Sequence, residues 1–281
     1  MFNAANLKFL DLHSNNLNGT ISNRIGNLRN LEHLDLRHNM LTGSQPQSIA
    51  NCSALLNLML SDNYLDGTIP SALPKSLREI RIGRNDFVGS LPESTIREMS
   101  NLTIFHVDRN HLHGDVSFTF VNAAKLEDIN LAYNKFNGSA PILQGMQNLE
   151  SIILRSNYFD MVLPHSFSGN DNLMLLDISV QDSELELDSY AFASVPSQTE
   201  LVFTGNQIPH ISPNAFYGRV NASLSLGHLS IQELGEYVLL CTIPHSETQP
   251  TLGTQNATHS YAFNGTRGLT LDLTENFIRI V

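Results

Sequence analysis

The sequence predicts an α/β repeat solenoid. The expected shape is a right-handed horseshoe with a concave parallel β-sheet and a convex side of short helical, 3-10 and extended segments. Three observations carry this. The register Leu-x-x-Leu-x-Leu-x-x-Asn-x-Leu reads Leu7, Leu10, Leu12, Asn15, Leu17, then Leu31, Leu34, Leu36, Asn39, Leu41, then Leu55, Leu58, Leu60, Asn63, Leu65. Anchored on its first residue, the register starts at 7, 31, 55, 77, 102, 126, 149 and 173, more weakly near 198 and 221, and last at 268. A period of about 24 residues is that of a stacked repeat, in which each unit buries its apolar face on its neighbours. The Asn eight residues past each start recurs as well, at Asn15, Asn39, Asn63, Asn85, Asn110, Asn134, Asn157, Asn206 and Asn276.

Each part of the unit has a physical reason. Alternate residues of a short strand face opposite sides, so Leu10 and Leu12 point inward while Phe9, Asp11 and His13 point out. The Asn at the turn must be buried, and a buried amide needs partners. Its side chain can bond backbone groups of its own and neighbouring units, which makes a ladder. Gln181 and Leu229 interrupt that ladder in the sequence. One solenoid of about 11–12 repeats is expected over 1–281, with a degenerate repeat or an insertion at about 242–260, where Pro244, Pro250 and Gly253 fall. The register is entered within seven residues of the first and runs up to the last, so the chain is expected to be a fragment of a longer protein.

Two unit types share the chain. Gly19, Gly43, Gly67, Gly89, Gly114 and Gly138 follow the ladder position, and Pro46, Pro70, Pro92, Pro141 and Pro164 come after. Leu65-Asp66-Gly67-Thr68-Ile69-Pro70 and Phe87-Val88-Gly89-Ser90-Leu91-Pro92 show the segment best. This resembles the plant-type leucine-rich repeat, whose Leu-x-Gly-x-Ile-Pro segment adds a second short strand per unit. The resemblance spans about 1–180 and implies an extracellular repeat domain, usually a receptor ectodomain. Over 181–281, Ala191-Phe192, Ala215-Phe216 and Ala262-Phe263 replace that segment. They resemble the typical repeat of animal extracellular proteins, in which a Phe packs beneath the convex side at each turn. Near the switch, Asp182, Glu184, Glu186 and Asp188 gather, read either as an irregular outer loop or as a bend or ligand-facing notch.

Composition narrows the function. Lys and Arg number 16 against 27 Asp and Glu, a formal net charge of -11. That balance, with no basic run, makes nucleic acid an unfitting partner. No stretch of 18 apolar residues exists, so no membrane insertion is expected within the chain. Cys52 and Cys241 lie about eight units apart, roughly 40 Å at the spacing of stacked strands, which is too far to bridge. Both read as buried thiols. Sequons at Asn18, Asn51, Asn101, Asn137, Asn221, Asn256 and Asn264 favour a glycosylated, secreted surface.

No catalytic constellation is present: there is no P-loop, GxSxG, HExxH or CxxC. His111-Leu112-His113 lacks a third ligand at metal spacing, so neither a metal nor any other cofactor is expected. The expectation is a non-catalytic recognition module. It would be an extracellular or cell-surface receptor ectodomain fragment that binds a protein, peptide or glycan on its concave face. An intracellular scaffold, or the ectodomain of a receptor-like kinase whose catalytic part lies elsewhere, are the alternatives. Positions two, four, six and seven past each start face or edge that sheet. The candidate site is therefore Arg37, Arg81, Arg84, His106, Asp108, Arg109, Asp128, Asn130, Tyr133 and Arg155. Arg and Tyr are the residue types enriched in binding hot spots.

Overall fold

In the computed structural model the described residues are 6–209, 211–212 and 214–218. The strands Ser223–Ser225, Glu233–Leu234, Thr270–Asp272 and Arg279–Ile280 are described as well. Nine three-residue strands form one parallel sheet in sequence order: Phe9–Asp11, His33–Asp35, Asn57–Met59, Glu79–Arg81, Ile104–His106, Asp128–Asn130, Ser151–Ile153, Leu175–Asp177 and Glu200–Val202. We call these units rungs one to nine. The central residue of each strand aligns across rungs, from Leu10 on Leu34 to Leu176 on Leu201. From rung two to rung nine these central residues are buried, at 0–7% exposed. Burying one such side chain contributes roughly 1.5–3 kcal/mol, so the central column is the main apolar support of the stack. Helix is sparse among the described residues. Asn23–Asn27 and Gln47–Asn51 are 3-10 turns and Glu93–Ile96 is one α-helical turn.

The amide ladder ties each rung to both neighbours. Asn63 Nδ2 donates to Leu36 O of rung two at 2.9 Å and to Leu60 O of its own rung at 3.0 Å. Its Oδ1 accepts Leu41 N–H at 3.0 Å. Asn39, Asn85, Asn110, Asn134 and Asn157 repeat the arrangement. Asn15, in rung one, bonds within its own turn, to Leu12 O and His13 O. The expected break at Gln181 is corrected. Gln181 Nε2 donates to Leu154 O at 3.2 Å and Ile178 O at 3.1 Å, and its Oε1 accepts Phe159 N–H at 3.1 Å. Glutamine carries the same amide on a longer stem, so it fills the slot. Asn206 resumes the series, accepting from Gln181 N–H itself. Leu229 and Asn276 lie outside the described residues.

The second strand per unit is present. Asn18–Gly19, Met40–Ser44 and Tyr64–Asp66 form one short sheet. Val88–Gly89, His111–Asp115, Lys135–Ser139, Tyr158–Val162 and Glu186–Leu187 form another. Glycine is required where this strand stacks closely. Gly89 has φ +86°, and a Cβ there would stand 3.0 Å from Thr68 Cγ2 in the rung before. The acidic residues 182–188 belong to this second layer. Glu186–Leu187 pairs with Met161–Val162, and exposed Glu184 and Glu186 alternate with buried Leu185 and Leu187. They form no notch on the long sheet. The aromatic packing begins before the expected switch at 181. Phe167 stacks on Phe192 at 5.9 Å between ring centres, and Phe192 stacks on Phe216 at 5.2 Å.

Ser223–Ser225 pairs directly with Thr270–Asp272, so these two units are adjacent although the chain between them is long. The degenerate repeat or insertion expected at 242–260 lies outside the described residues, as do Cys241 and Ala262-Phe263. Cys52 is a buried free thiol whose Sγ contacts Ile25 O at 3.3 Å, and burial pushes its pKa up.

One slot breaks the apolar pattern. Gln45 occupies the position that Ile69 holds one unit later; it is 3% exposed and both of its amide atoms lack a hydrogen-bond partner. An unpaired buried amide costs about 1–3 kcal/mol. Gln45→Ile is expected to stabilise the fold by about that amount, read as a higher urea midpoint with unchanged slope. A lower midpoint would show that the amide has a partner.

Candidate functional site

The side chains of the candidate site stand on the outward face of rungs two to seven. Strand alternation sends positions two and four outward. The turn after each strand then adds a constraint that the periodicity does not show. The residue just before each ladder amide has positive φ: His38 (54°), Asp62 (59°), Arg84 (54°), Arg109 (52°) and Tyr133 (55°). Non-glycine residues pay about 1–2 kcal/mol for this conformation. The turn reverses the chain so that the next amide enters the ladder. It thereby stations Arg84, Arg109 and Tyr133 along the rim of the sheet.

Two groups result. The first is a cleft of about 200 Å³ lined by Arg37, His38, Ser61, Asp62, Arg81, Gly83, Arg84, His106 and Asp108. Its arginines are held from outside by acids. Arg37 grips Asp35 through Nη2–Oδ2 at 2.6 Å and Nε–Oδ1 at 3.0 Å. That bond holds Arg37 firmly protonated. Burial pushes the Asp35 carboxyl up, but the hydrogen bonds and charge of Arg37 outweigh it and leave the carboxyl below its ordinary value. Arg81 Nε donates to Glu79 Oε1, and Arg81 Nη1 lies 2.8 Å from His106 Nδ1. His106 Nε2 lies 2.8 Å from Asp128 Oδ2. Burial raises the Asp128 carboxyl, but its bond to His106 and the nearby charges bring it below the ordinary value. Arg84 is looser: its Nη1 is 3.6 Å from Asp62 Oδ1, and its side chain is 59% exposed.

Asp108 differs. Desolvation raises its carboxyl despite nearby His106, Arg84 and Arg109. It sits over the backbone of Gly83, where a Cβ would meet its Oδ1 at 2.4 Å. Glycine is thus what admits the carboxylate to the floor of the cleft.

The second group is Arg109, Tyr133 and Arg155. The Arg109 guanidinium lies 4.1 Å from the centre of the Tyr133 ring, and that of Arg155 lies 5.4 Å from it. Such contacts contribute about 0.5–1 kcal/mol at exposed sites. Arg155 Nη1 is 4.0 Å from Asp177 Oδ2, while its buried Nε bonds nothing. These two cations therefore keep donors uncommitted.

Five of the ten predicted residues meet in the cleft: Arg37, Arg81, Arg84, His106 and Asp108. Arg109, Tyr133 and Arg155 form the second group, and Asp128 stands behind His106. Asn130 stands in the outward column of rung six, and its Oδ1 accepts Ala132 N–H at 3.1 Å. His38, Ser61, Asp62 and Gly83 were missed. Positions six and seven, read across rungs two to four as well as five to seven, contain all four. His111 and His113 stand exposed on the second strand layer, away from this face. Sequon residues Asn18, Asn51, Asn101 and Asn137 are exposed and lie off the long sheet; Asn221, Asn256 and Asn264 lie outside the described residues. Among the described residues no helix is long and apolar enough to cross a membrane. Asp11, His13 and Asp35 gather at the edge of the face, but both Asp35 oxygens are engaged by Arg37.

Because desolvation raises Asp108, its charged form is disfavoured in the fold. The sign follows: the folded pKa exceeds the ordinary 3.8, so the ionised carboxylate costs stability above the folded value, and that cost fades as pH falls through it. Asp108→Asn is expected to raise the urea midpoint at pH 7, with the gain shrinking toward pH 4. A lower midpoint at pH 7 would mean that the carboxylate is stabilised in place.

Comparison with known proteins agrees with this architecture. The family model described as "BspA type Leucine rich repeat region" matches residues 72–195, 110–223 and 164–280. The model "Leucine Rich Repeat" matches 6–28 and 30–52. Receptor-like protein 18 of Arabidopsis thaliana is 31% identical over 105 residues, covering 37% of this chain and 12% of that protein. Keratocan of Danio rerio is 31% identical over 146 residues, covering 50% of this chain and 40% of that protein. The chain thus spans well under two thirds of these relatives. Among solved structures, the plant peptide hormone receptor RGFR1 in complex with RGF2 has TM-score 0.62 at 24% identity, covering 98% of this chain and 48% of that one. The Arabidopsis receptor kinase HAESA in complex with the peptide hormone IDA and the co-receptor SERK1 has TM-score 0.61 at 24% identity, covering 82% of this chain and 37% of that one. These two likenesses speak to the fold. The chain belongs to the leucine-rich repeat family, with most of its length matching the BspA-type region.

Proposed function

We propose that this chain is the ligand-recognition part of an extracellular leucine-rich repeat receptor, and that it holds a peptide or protein ligand on its nine-stranded face. It does no chemistry of its own on this reading. Leucine-rich repeat ectodomains are typically non-catalytic, and the work of this one is to offer a rigid, charge-patterned surface.

The cleft of Arg37, Arg81, Arg84, His106 and Asp108 is the observation that carries the reading. On a chain of net charge -11 this face gathers three guanidinium groups from rungs two and four, and the loosely held, exposed Arg84 supports a polar, acid-bearing partner. Arg109 and Arg155, with uncommitted donors beside Tyr133, extend the surface by two rungs, to rung seven. At about 4.8 Å per rung, rungs two to seven span about 24 Å, enough for several residues of an extended ligand. Two structural neighbours are known in complex with peptide hormones, which supports a peptide over a glycan as the first ligand class to screen. The receptor-like relatives and the exposed sequons at Asn18, Asn51, Asn101 and Asn137 support a glycosylated surface outside the cell.

The test is a binding screen of the secreted chain against acidic and neutral peptides, repeated with Arg81→Ala, Arg109→Ala and Arg155→Ala. Each substitution is expected to weaken a captured acidic peptide about 5- to 30-fold, equivalent to about 1–2 kcal/mol. Binding unchanged in all three would remove the face as the site. Mass spectrometry of the secreted protein tests the location: absence of N-glycans at all four exposed sequons would remove the support they give.

A further inference from the structure

His106 is bonded at both ring nitrogens, and the identity of its partners dictates its protonation. Arg81 Nη1, 2.8 Å from Nδ1, is a donor and has no lone pair to accept with. Nδ1 must therefore present its own lone pair. Asp128 Oδ2, 2.8 Å from Nε2, is an ionised carboxylate and accepts. The ring is thus neutral, with its proton on Nε2. A second proton has one place to go, Nδ1, and there it meets the Arg81 donor head on.

We propose that His106 is an acid-operated latch on Arg81. While neutral, it ties the Arg81 guanidinium down across rungs four and five; once protonated, it releases that guanidinium to the cleft. The proposal rests on the reading that the cleft receives an anionic group, and it adds the regulation of that group's binding.

The surrounding charges set the direction. From the rung before, Arg81, itself held by Glu79, meets the ring; from the rung after, Asp128 does. Asp108, two residues further along its own rung, and Arg84 line the same cleft. Protonation converts the pair Arg81–His106 from one cation to two at hydrogen-bond distance. Glu79 keeps its hold on Arg81 Nε, and Asp128 keeps its hold on the imidazolium, so both charges stay compensated while the Arg81–His106 bond is lost. The cleft then gains one positive charge and a free guanidinium edge. Asp108 works in the same sense, because burial lets it take up a proton earlier than an ordinary carboxyl as pH falls. Anion binding should therefore strengthen on acidification, as the ring takes up its second proton.

The test uses the full chain and needs no natural ligand. Nitrogen-15 NMR of His106 and of the Arg81 Nε–H is followed from pH 8 to pH 5. The expected result is an Nε2–H tautomer at pH 8 and an Arg81 signal that moves with the same midpoint as the His106 ring. An Nδ1–H tautomer at pH 8, or an Arg81 signal indifferent to the ring, overturns the latch. Inorganic sulfate, whose charge is constant over this range, is then titrated against the Arg81 and Arg84 signals. Its affinity should rise at least about threefold from pH 8 to pH 5.5, the effect of one added charge near the surface. In His106→Gln the Arg81 signal should lose its pH dependence; Asp128→Asn, which leaves the ring in place, should alter the ring's titration and the Arg81 movement together. If ring and arginine move together but sulfate binds nowhere, the latch stands and the anionic-ligand reading falls. If sulfate binds equally at both pH values, the latch does not control the cleft.

Discussion

A carboxamide buried at each turn is the interaction on which everything else in this molecule depends. Its nitrogen donates to a carbonyl of its own rung and to one in the rung before. Its oxygen accepts a backbone N–H from the rung before. A turn of this tightness leaves backbone groups pointing into an apolar core. Each left unpaired would cost on the order of 1–3 kcal/mol. One amide per rung answers three of them, so the leucine columns can close over it without trapping bare polar atoms. Because the bonds cross between rungs, they also set the stacking register, and a slip of one residue would break every one of them together.

The functional face follows from that register. To bring the amide inward, the preceding residue takes a left-handed conformation, which throws its side chain onto the rim of the sheet. Rim residues therefore stand in a row one strand spacing apart, and the face residues stand in parallel rows beside them. Rungs two to five place Arg37, Asp62, Arg84 and Asp108 close enough to share one cleft, although the chain separates the outermost by about three periods. The pairings inside the cleft are also products of the stack. Arg81 reaches His106 one rung on, and His106 reaches Asp128 one rung further. A change in one member is felt along the solenoid axis, perpendicular to the strands.

Much of this was legible in the sequence. The period set the strands, their order and their pairing, and the rule of alternation identified the outward columns. The misreadings share a cause. Gln181 looks like a break when the register is followed by residue name, whereas the slot selects an amide that can reach two carbonyls, and glutamine supplies one. Asn130 sits in an outward column, and spacing alone does not show that its side-chain oxygen turns back to cap its own loop. The importance of Asp62 and Gly83 comes from neighbours one rung away: one bridges His38 and Arg84, the other makes room for Asp108. Column membership is a one-dimensional property and can be read from spacing. Which guanidinium pairs with which acid depends on rotamers in three dimensions.

The ladder's role can be tested most directly by single-residue hydrogen exchange in Asn110→Ala. The side chain removed leaves Phe87 N–H without its partner and takes one of two amide donors from Ile82 O and from Val107 O. The account predicts a loss of about 2–4 kcal/mol. Exchange of Phe87 N–H should accelerate first, and protection should fall through rungs four and five on both sides of the gap. Unchanged protection at Phe87 with unchanged stability would contradict it, and would place the register of the solenoid in its leucines alone.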